Sequence, residues 1–206
     1  MMTPRRYDMD ARATATRATR ASIVAAAMRL HAERGVLGTS WHAIAREAAV
    51  SPATVYRHFP ASSDLIPACA RLVFDIVRPP TPEEASVEFA AMDDAADRFA
   101  RLARESAHCY QRGEGWLHAA HRERDFDADL DAAVTLFQDS LHVLVDAAAG
   151  RQLPRTAHAV LFTLCDYPFW KSLVDSGLSH RIVERTLVDL VRAETVRLGL
   201  SSQETS

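Results

Sequence analysis

The chain of 206 residues is short of most features that tie a protein to a compartment or a chemistry. Its three cysteines, Cys69, Cys109 and Cys165, are widely spaced and odd in number. They build no disulfide framework and fit a reducing cytoplasm. No apolar run is long enough to span a bilayer. The opening MMTPRRYDMDARATATRATR lacks the apolar stretch of a secretory signal. Residues 1–18 read instead as a disordered basic arm. Only seven glycines and no sustained period-2 alternation leave little room for strands, so the expected fold is all-α. There is no glycine-rich phosphate loop, nucleophile elbow or HExxH pair, and DFDADLDAA lacks the glycine and closing glutamate of a calcium loop. No enzyme is expected and no cofactor is implied.

What the chain does have is a charge split. Residues 1–80 hold 11 Arg and 6 Asp or Glu, whereas residues 81–206 hold 12 Arg and one Lys against 21 Asp or Glu. A basic first third on an acidic remainder points to a polyanion met by the first part alone.

Helical periodicity organises the rest. A first helix is expected from about Thr19 to Arg34, with Ile23, Ala26, Ala27 and Leu30 on one face and Gly35 as its stop. A second follows Thr39 as N-cap, through Trp41, Ile44, Ala45 and Ala48. Ser51 caps a third, with Pro52 at its first position and Pro60 closing it. A fourth starts near Ser62 to Asp64, where Pro67 is acceptable only in the first turn. The Pro-Pro-Thr-Pro run at 79–82 marks the expected boundary between a domain at 19–78 and a helical domain at 83–200. Beyond it, helices are expected near 83–90, 93–112, 114–123, 127–149, 155–176 and 179–198, with Pro168 kinking or breaking the 155–176 segment.

Residues 41–60 carry the informative pattern. Small Ala45, turn residue Ala49, apolar Val50, cap Ser51 and apolar Val55 stand at relative positions 5, 9, 10, 11 and 15. Two short helices that cross steeply need a small residue at closest approach and a tight turn four positions on. This is a helix-turn-helix pattern. A helical adaptor using the same hairpin structurally is the bland alternative.

With Thr39, Ile44-Ala45, Val50-Ser51, Thr54-Val55-Tyr56, His58-Phe59 and Leu65 behind a helix ending at Gly35, the chain resembles the tetracycline-repressor (TetR) family of bacterial transcription regulators over roughly residues 19–66. Two positions depart from the family's pattern. Ala49 replaces the usual turn glycine, at a cost of about 1–2 kcal/mol in a left-handed conformation. Ser62 replaces a lysine that commonly meets a phosphate.

The resemblance implies a ligand-responsive repressor that binds a double-stranded DNA operator as a homodimer and leaves it when a small-molecule effector binds. Reach within the groove assigns Ser51, Pro52, Ala53 and Thr54 to base edges. Arg57 reaches a phosphate or a guanine, and Thr39 offers a hydroxyl at a helix start. By resemblance, Tyr56 and His58 hold phosphates. Trp41 is core or a backbone contact, and His42 is a solvated position. Arg5, Arg6, Arg12, Arg17 and Arg20 of the arm add attraction to DNA or stay solvated.

For the effector domain the resemblance implies a pocket. Phe99, Tyr110, Trp116, Phe137, Phe162, Tyr167 and Trp170 are candidate lining, with His121 as a polar member. His118 and His121 stand one helical turn apart near His108 and Cys109, but no compact Cys/His set accompanies them and no metal is expected. The last two helices offer Val160, Leu161 and Leu164, and Val183, Leu187, Leu190 and Val191, as candidate dimer faces.

Overall fold

A computed structural model of the protein describes residues 4–78 and 80–200, and of residues 4–9 and 82 the backbone alone. Ten α-helices and no strand are found among the described residues: α1 (Pro4–Arg34), α2 (Trp41–Glu47), α3 (Pro52–His58), α4 (Ser62–Val77), α5 (Pro82–Ala90), α6 (Ala95–Glu123), α7 (Ala128–Ala149), α8 (Arg155–Cys165), α9 (Tyr167–Asp175) and α10 (His180–Arg197). None of them is long and apolar enough to cross a membrane.

The chain divides into two compact units, Met1–Val73 with His118–Ala133, and Phe74–Leu117 with Val134–Ser206. This differs from a cut at the proline-rich run. The end of α6 and the start of α7 group with the amino-terminal helices, and α4 is divided after Val73.

In the first unit, Ile23, Ala27 and Leu30 of α1 meet a core shared by Ile44 and Ala45 of α2, Val55 of α3 and Leu65 and Ile66 of α4, all buried. α1 starts far earlier than expected, so residues 4–18 are helical and not a disordered arm. Between Pro4 and Gly35 nothing breaks a helix. Pro4 stands at the first position, where its missing N–H costs nothing. Alanine and arginine propagate the helix, while Thr14, Thr16 and Thr19 donate their hydroxyls to carbonyls four residues back at 2.8, 2.9 and 3.0 Å. The side chains of Arg5 and Arg6 lie outside the described residues.

Pro67 lies deeper in α4 than expected, at its sixth residue. The ring removes the hydrogen bond to the carbonyl of Ser63, which is an exposed residue. The buried row Leu65, Ile66, Cys69, Val73 and Val77 keeps the helix going through that defect.

In the second unit, α6 and α7 supply Phe99, Leu102, Leu141 and Val145 to the core, and α10 adds Val183, Leu187 and Val191. Two expected helices near 93–112 and 114–123 are one helix of 29 residues. Gly113 does not stop it, because a methyl there would stand 3.1 Å from both Leu117 Cδ1 and Val77 Cγ1. That glycine serves a close approach, not a helix end. The expected 155–176 segment is broken, one of the two outcomes expected of Pro168. Asp166 leaves helical geometry at ψ 154°, caps α9 by accepting from its own neighbour Tyr167 N at 2.8 Å, and Pro168 follows in the first turn. Arg98 ties the α5–α6 turn to the end of α7, donating to the carbonyls of Met92 at 2.8 Å and Ala148 at 2.7 Å.

Candidate nucleic-acid interface and effector cavity

The reading head begins at a cap one residue later than expected. Ser40, not Thr39, is the N-cap of α2, and its Oγ accepts from Ala43 N at 3.2 Å. Thr39 donates its hydroxyl to the carbonyl of Gly35 at 2.7 Å. Its proton is therefore committed, while the exposed Ser40 keeps a hydroxyl proton at the same helix start.

α2 ends in a Schellman turn. Val50 N donates to Ala45 O at 2.9 Å and Ala49 N to Arg46 O at 3.2 Å, with Ala49 at φ 55°. The alanine does adopt the left-handed conformation, at a cost of about 1–2 kcal/mol relative to right-handed geometry. Exposure of Ala49 leaves its methyl in water and free of clashes.

α3 has only seven residues and is held at both ends. Ser51 Oγ accepts from Thr54 N at 3.1 Å and shares a hydrogen bond with Thr54 Oγ1 at 2.9 Å. Val55 and Phe59 are 0% exposed. The Arg20 guanidinium lies 4.4 Å above the Phe59 ring, a cation–π contact that fastens α1 to the end of α3. Trp41 packs its ring 5.5 Å from that of Tyr56, so it braces the tyrosine whose edge remains 45% exposed. What α3 turns to solvent is Ser51, Ala53, Tyr56 and Arg57, with Pro52, Thr54 and His58 half-buried beside them. The seven residues expected at DNA on this helix and its cap thus share one accessible end and face.

Behind the head lies a contact that sequence reasoning missed. Glu123, last residue of α6, accepts from Leu37 N at 2.8 Å and from Arg122 at 2.5 Å. Burial acts to raise its pKa, but the Arg122 guanidinium and the amides of Leu37 and Val36 outweigh it and hold the carboxyl below its ordinary range. Gly35 makes room for it. With φ at +81°, a methyl there would fall 2.0 Å from Glu123 Oε1. Nearby, His31 is buried with Nδ1 unpaired. Burial pushes its pKa down to about 4 although Glu123 pulls the other way. No local spacing announces this clasp, since its partners stand 86 residues apart.

In the second unit, α5, α6 and α7 enclose an apolar cavity with about 60 Å³ of space for water centres, several times what one water needs. Leu102, Leu117, Phe137 and Leu144 form its walls, and Ser106, Tyr110 and Ser140 are uncharged polar members of its lining. Tyr110 donates its hydroxyl to Cys165 O at 2.7 Å. Burial, reinforced by Asp166, drives its pKa far up, so the phenol stays neutral. Glu88, Arg101 and Glu105 line both this cavity and a wider open groove of about 760 Å³. There Arg101 is ion-paired with Glu88 at 2.7 Å and with Glu105 at 3.3 Å.

Of the eight residues expected at an effector, only Tyr110 and Phe137 line this cavity. Tyr167 and Trp170 form an aromatic cluster with Tyr110, at ring distances of 5.5 and 5.8 Å. Phe99 and Trp116 are core residues elsewhere, and Phe162 stacks on His142 at 4.0 Å. His121 falls in the first unit, with burial as the main cause pushing its pKa down to about 4. Among the described residues no group of three or more His, Cys, Asp or Glu is placed to hold a metal ion. His108 pairs with Glu184 at 3.1 Å and the Cys109 thiol donates to Val77 O at 3.3 Å.

A capped, two-turn helix seated across a Schellman turn, polar outward and fully anchored inward, defines a helix-turn-helix DNA-binding protein. Residues 23–69 match the family model described as bacterial regulatory proteins, tetR family. Among solved structures, the chain is similar to native NalD of Pseudomonas aeruginosa, the secondary repressor of the MexAB-OprM multidrug efflux pump, at 22% identity and TM-score 0.59, covering 93% of this chain and 99% of that one. It is similar also to the transcriptional regulator FadR of Bacillus subtilis in complex with stearoyl-CoA, at 14% identity and TM-score 0.61, covering 84% and 97%. A TetR-family regulator structure from Syntrophomonas wolfei superposes with TM-score 0.64 at 17% identity, covering 91% and 99%. At these identities the likeness is one of fold. No curated protein sequence matches the chain.

Proposed function

We propose that the protein is a cytoplasmic, homodimeric repressor that α3 docks in the major groove of an operator and that a small apolar effector releases. The observation that carries the DNA half is α3 itself, with Val55 and Phe59 at 0% exposure beneath an accessible Ser51, Ala53, Tyr56 and Arg57. Ser51 to Thr54 would meet base edges and Tyr56 and His58 phosphates, with Arg57 reaching either. At the start of α2, the free hydroxyl proton belongs to Ser40, so Thr39 would serve there through its backbone and as an acceptor.

The dimer face follows from what the second unit leaves outside. Leu161, Val183, Leu187 and Val191 are consumed by packing within the chain, whereas Val160 of α8 and Ile182, Leu190 and Val196 of α10 are 38–49% exposed. On α10 those three share one side with Thr186 and Ala193 at helical spacing, a self-complementary stripe for a second copy.

The cavity supports a small apolar effector with one or two hydrogen-bonding groups for Ser106 and Tyr110. An acyl-CoA such as FadR holds is disfavoured here, because Glu88 and Glu105 already neutralise Arg101 at the entrance and repel a polyphosphate. Since α6 contributes Ser106 and Tyr110 to the cavity and Glu123 to the clasp on the α1–α2 turn, occupancy and DNA binding would oppose each other as reciprocal couplings.

A gel-shift titration on random-sequence duplexes tests the core of this reading. Binding should be strong at low salt, fall steeply as salt rises, and weaken uniformly in Tyr56→Ala and His58→Ala. Thr54→Ala should alter the sequences selected from the pool. Absence of binding at low salt would sink the proposal.

A further inference from the structure

The stretch of α1 before its core begins stands largely in solvent, with Arg17 donating to Thr14 Oγ1 of its own helix at 3.1 Å. Residues 10–18 and 20–22 are exposed and Thr19 is half-buried. From Ala11 to Ser22 every side chain is Ala, Thr, Ser or Arg. A helix polar on all sides has little stability of its own and calls for a partner. That partner is not a membrane, because the segment has no apolar face to insert.

The arginines are not scattered. At about 100° per residue, Arg12, Arg17 and Arg20 fall within an arc of roughly 140°, which is the arc that Ile23, Val24, Ala27, Leu30 and His31 occupy further along. The basic stripe therefore continues the face by which α1 packs on the reading head. Arg20 shows this directly, since its guanidinium lies over Phe59 at the end of α3. Asp10 stands at the margin of the stripe with Asp8 before it, and no acidic residue occurs between Asp10 and Glu33. From Arg20 back to Asp10 the helix runs on for about 15 Å, a reach of several phosphates along a duplex.

We propose that residues 10–22 of α1 are a second DNA contact, in which Arg12 and Arg17 meet the phosphates flanking the half-site that α3 reads. The assignment rests on the DNA-binding reading above. Phosphate contacts of this kind position the protein without selecting sequence.

The test compares the full-length protein with Arg12→Gln/Arg17→Gln and with a control of equal charge loss at two exposed positions of the second unit, Arg151→Gln/Arg155→Gln, on random-sequence duplex DNA by fluorescence anisotropy. Loss of two phosphate contacts should reduce the slope of log K against log salt by about 1.8. Raising salt from about 50 to about 200 mM should then cost the wild type about twelvefold more affinity than the α1 variant. The control should keep the wild-type slope, and the sequences selected from a random pool should not change. Equal slopes for the wild type and the α1 variant, or an equal reduction in the control, would overturn the inference while leaving the α3 assignment standing. If the wild type binds no duplex at all, both fall.

Discussion

The α2–α3 head and the apolar cavity of the second unit use side chains in opposite ways. In α3, anchoring and presentation belong to different residues: Val55 and Phe59 hold the helix, and Tyr56 and Arg57 stand in water. In the cavity a single residue does both. Tyr110 is a core member of an aromatic cluster, a hydrogen-bond donor to Cys165 O, and part of the wall. A head built by division of labour tolerates loss of its working groups without unfolding. A cavity built from the core does not. Perturbation should therefore separate function from stability in the first unit and leave them joined in the second.

The largest expected effect falls where the head has no spare room. Gly35→Ala forces a methyl to within 2.0 Å of Glu123 Oε1 at a residue with φ +81°. The left-handed conformation alone costs about 1–2 kcal/mol, and displacing the carboxylate breaks its bond with the Leu37 amide, a hydrogen bond to a charged group worth about 1.5–3 kcal/mol more. A denaturant melt should show a loss of about 3 kcal/mol. A wild-type midpoint would mean that the clasp on the α1–α2 turn contributes nothing.

Next comes acid. His31 carries a folded pKa of about 4 because burial disfavours its charged form. The unfolded chain binds that proton near 6.5, so between pH 6.5 and about 4 the unfolded state holds more protons and stability falls as pH falls. Over that window the loss from His31 approaches about 3 kcal/mol. His121, lowered to about 4 mainly by burial, adds to it. His31→Gln should flatten the pH dependence of the thermal midpoint between 6.5 and 4; an unchanged profile would assign the dependence elsewhere.

How legible all this was in the sequence follows the same division. Ala45, Ala49, Val50, Ser51 and Val55 lie within eleven consecutive positions, so the chain's own geometry brings them together and spacing alone identifies the turn. Ser51 as cap and Ala49 at positive φ were both readable in that way. The neighbouring cap was not. Thr39 and Ser40 are both good cap residues, and only the Thr39 hydroxyl bond to Gly35 O separates them. A helix end in the second unit misled for a similar reason. Gly113 falls between two expected helices but serves tight packing on Val77, whereas the break expected at Pro168 is present, with Asp166 as its cap. The cavity was least legible, because its walls come from residues 77 to 144 and a buried aromatic in the core has the same sequence signature as one in a wall.

One substitution made twice sharpens the contrast. Tyr110→Phe removes a buried hydroxyl that donates to Cys165 O at 2.7 Å, leaving that carbonyl unpaired. Stability should drop by about 1–2 kcal/mol, with affinity for duplex DNA unchanged at temperatures where the variant is folded. Tyr56→Phe removes an exposed hydroxyl and keeps the ring against Trp41 at 5.5 Å. Its melt should stay within about 0.5 kcal/mol of wild type, while binding to every duplex weakens by a common factor. Equal stability losses at the two positions would show that the head, too, is held together by the groups proposed to meet DNA. A DNA effect that varies with sequence at Tyr56→Phe would move the tyrosine from the phosphates to the bases, and with it the boundary between positioning and reading along α3.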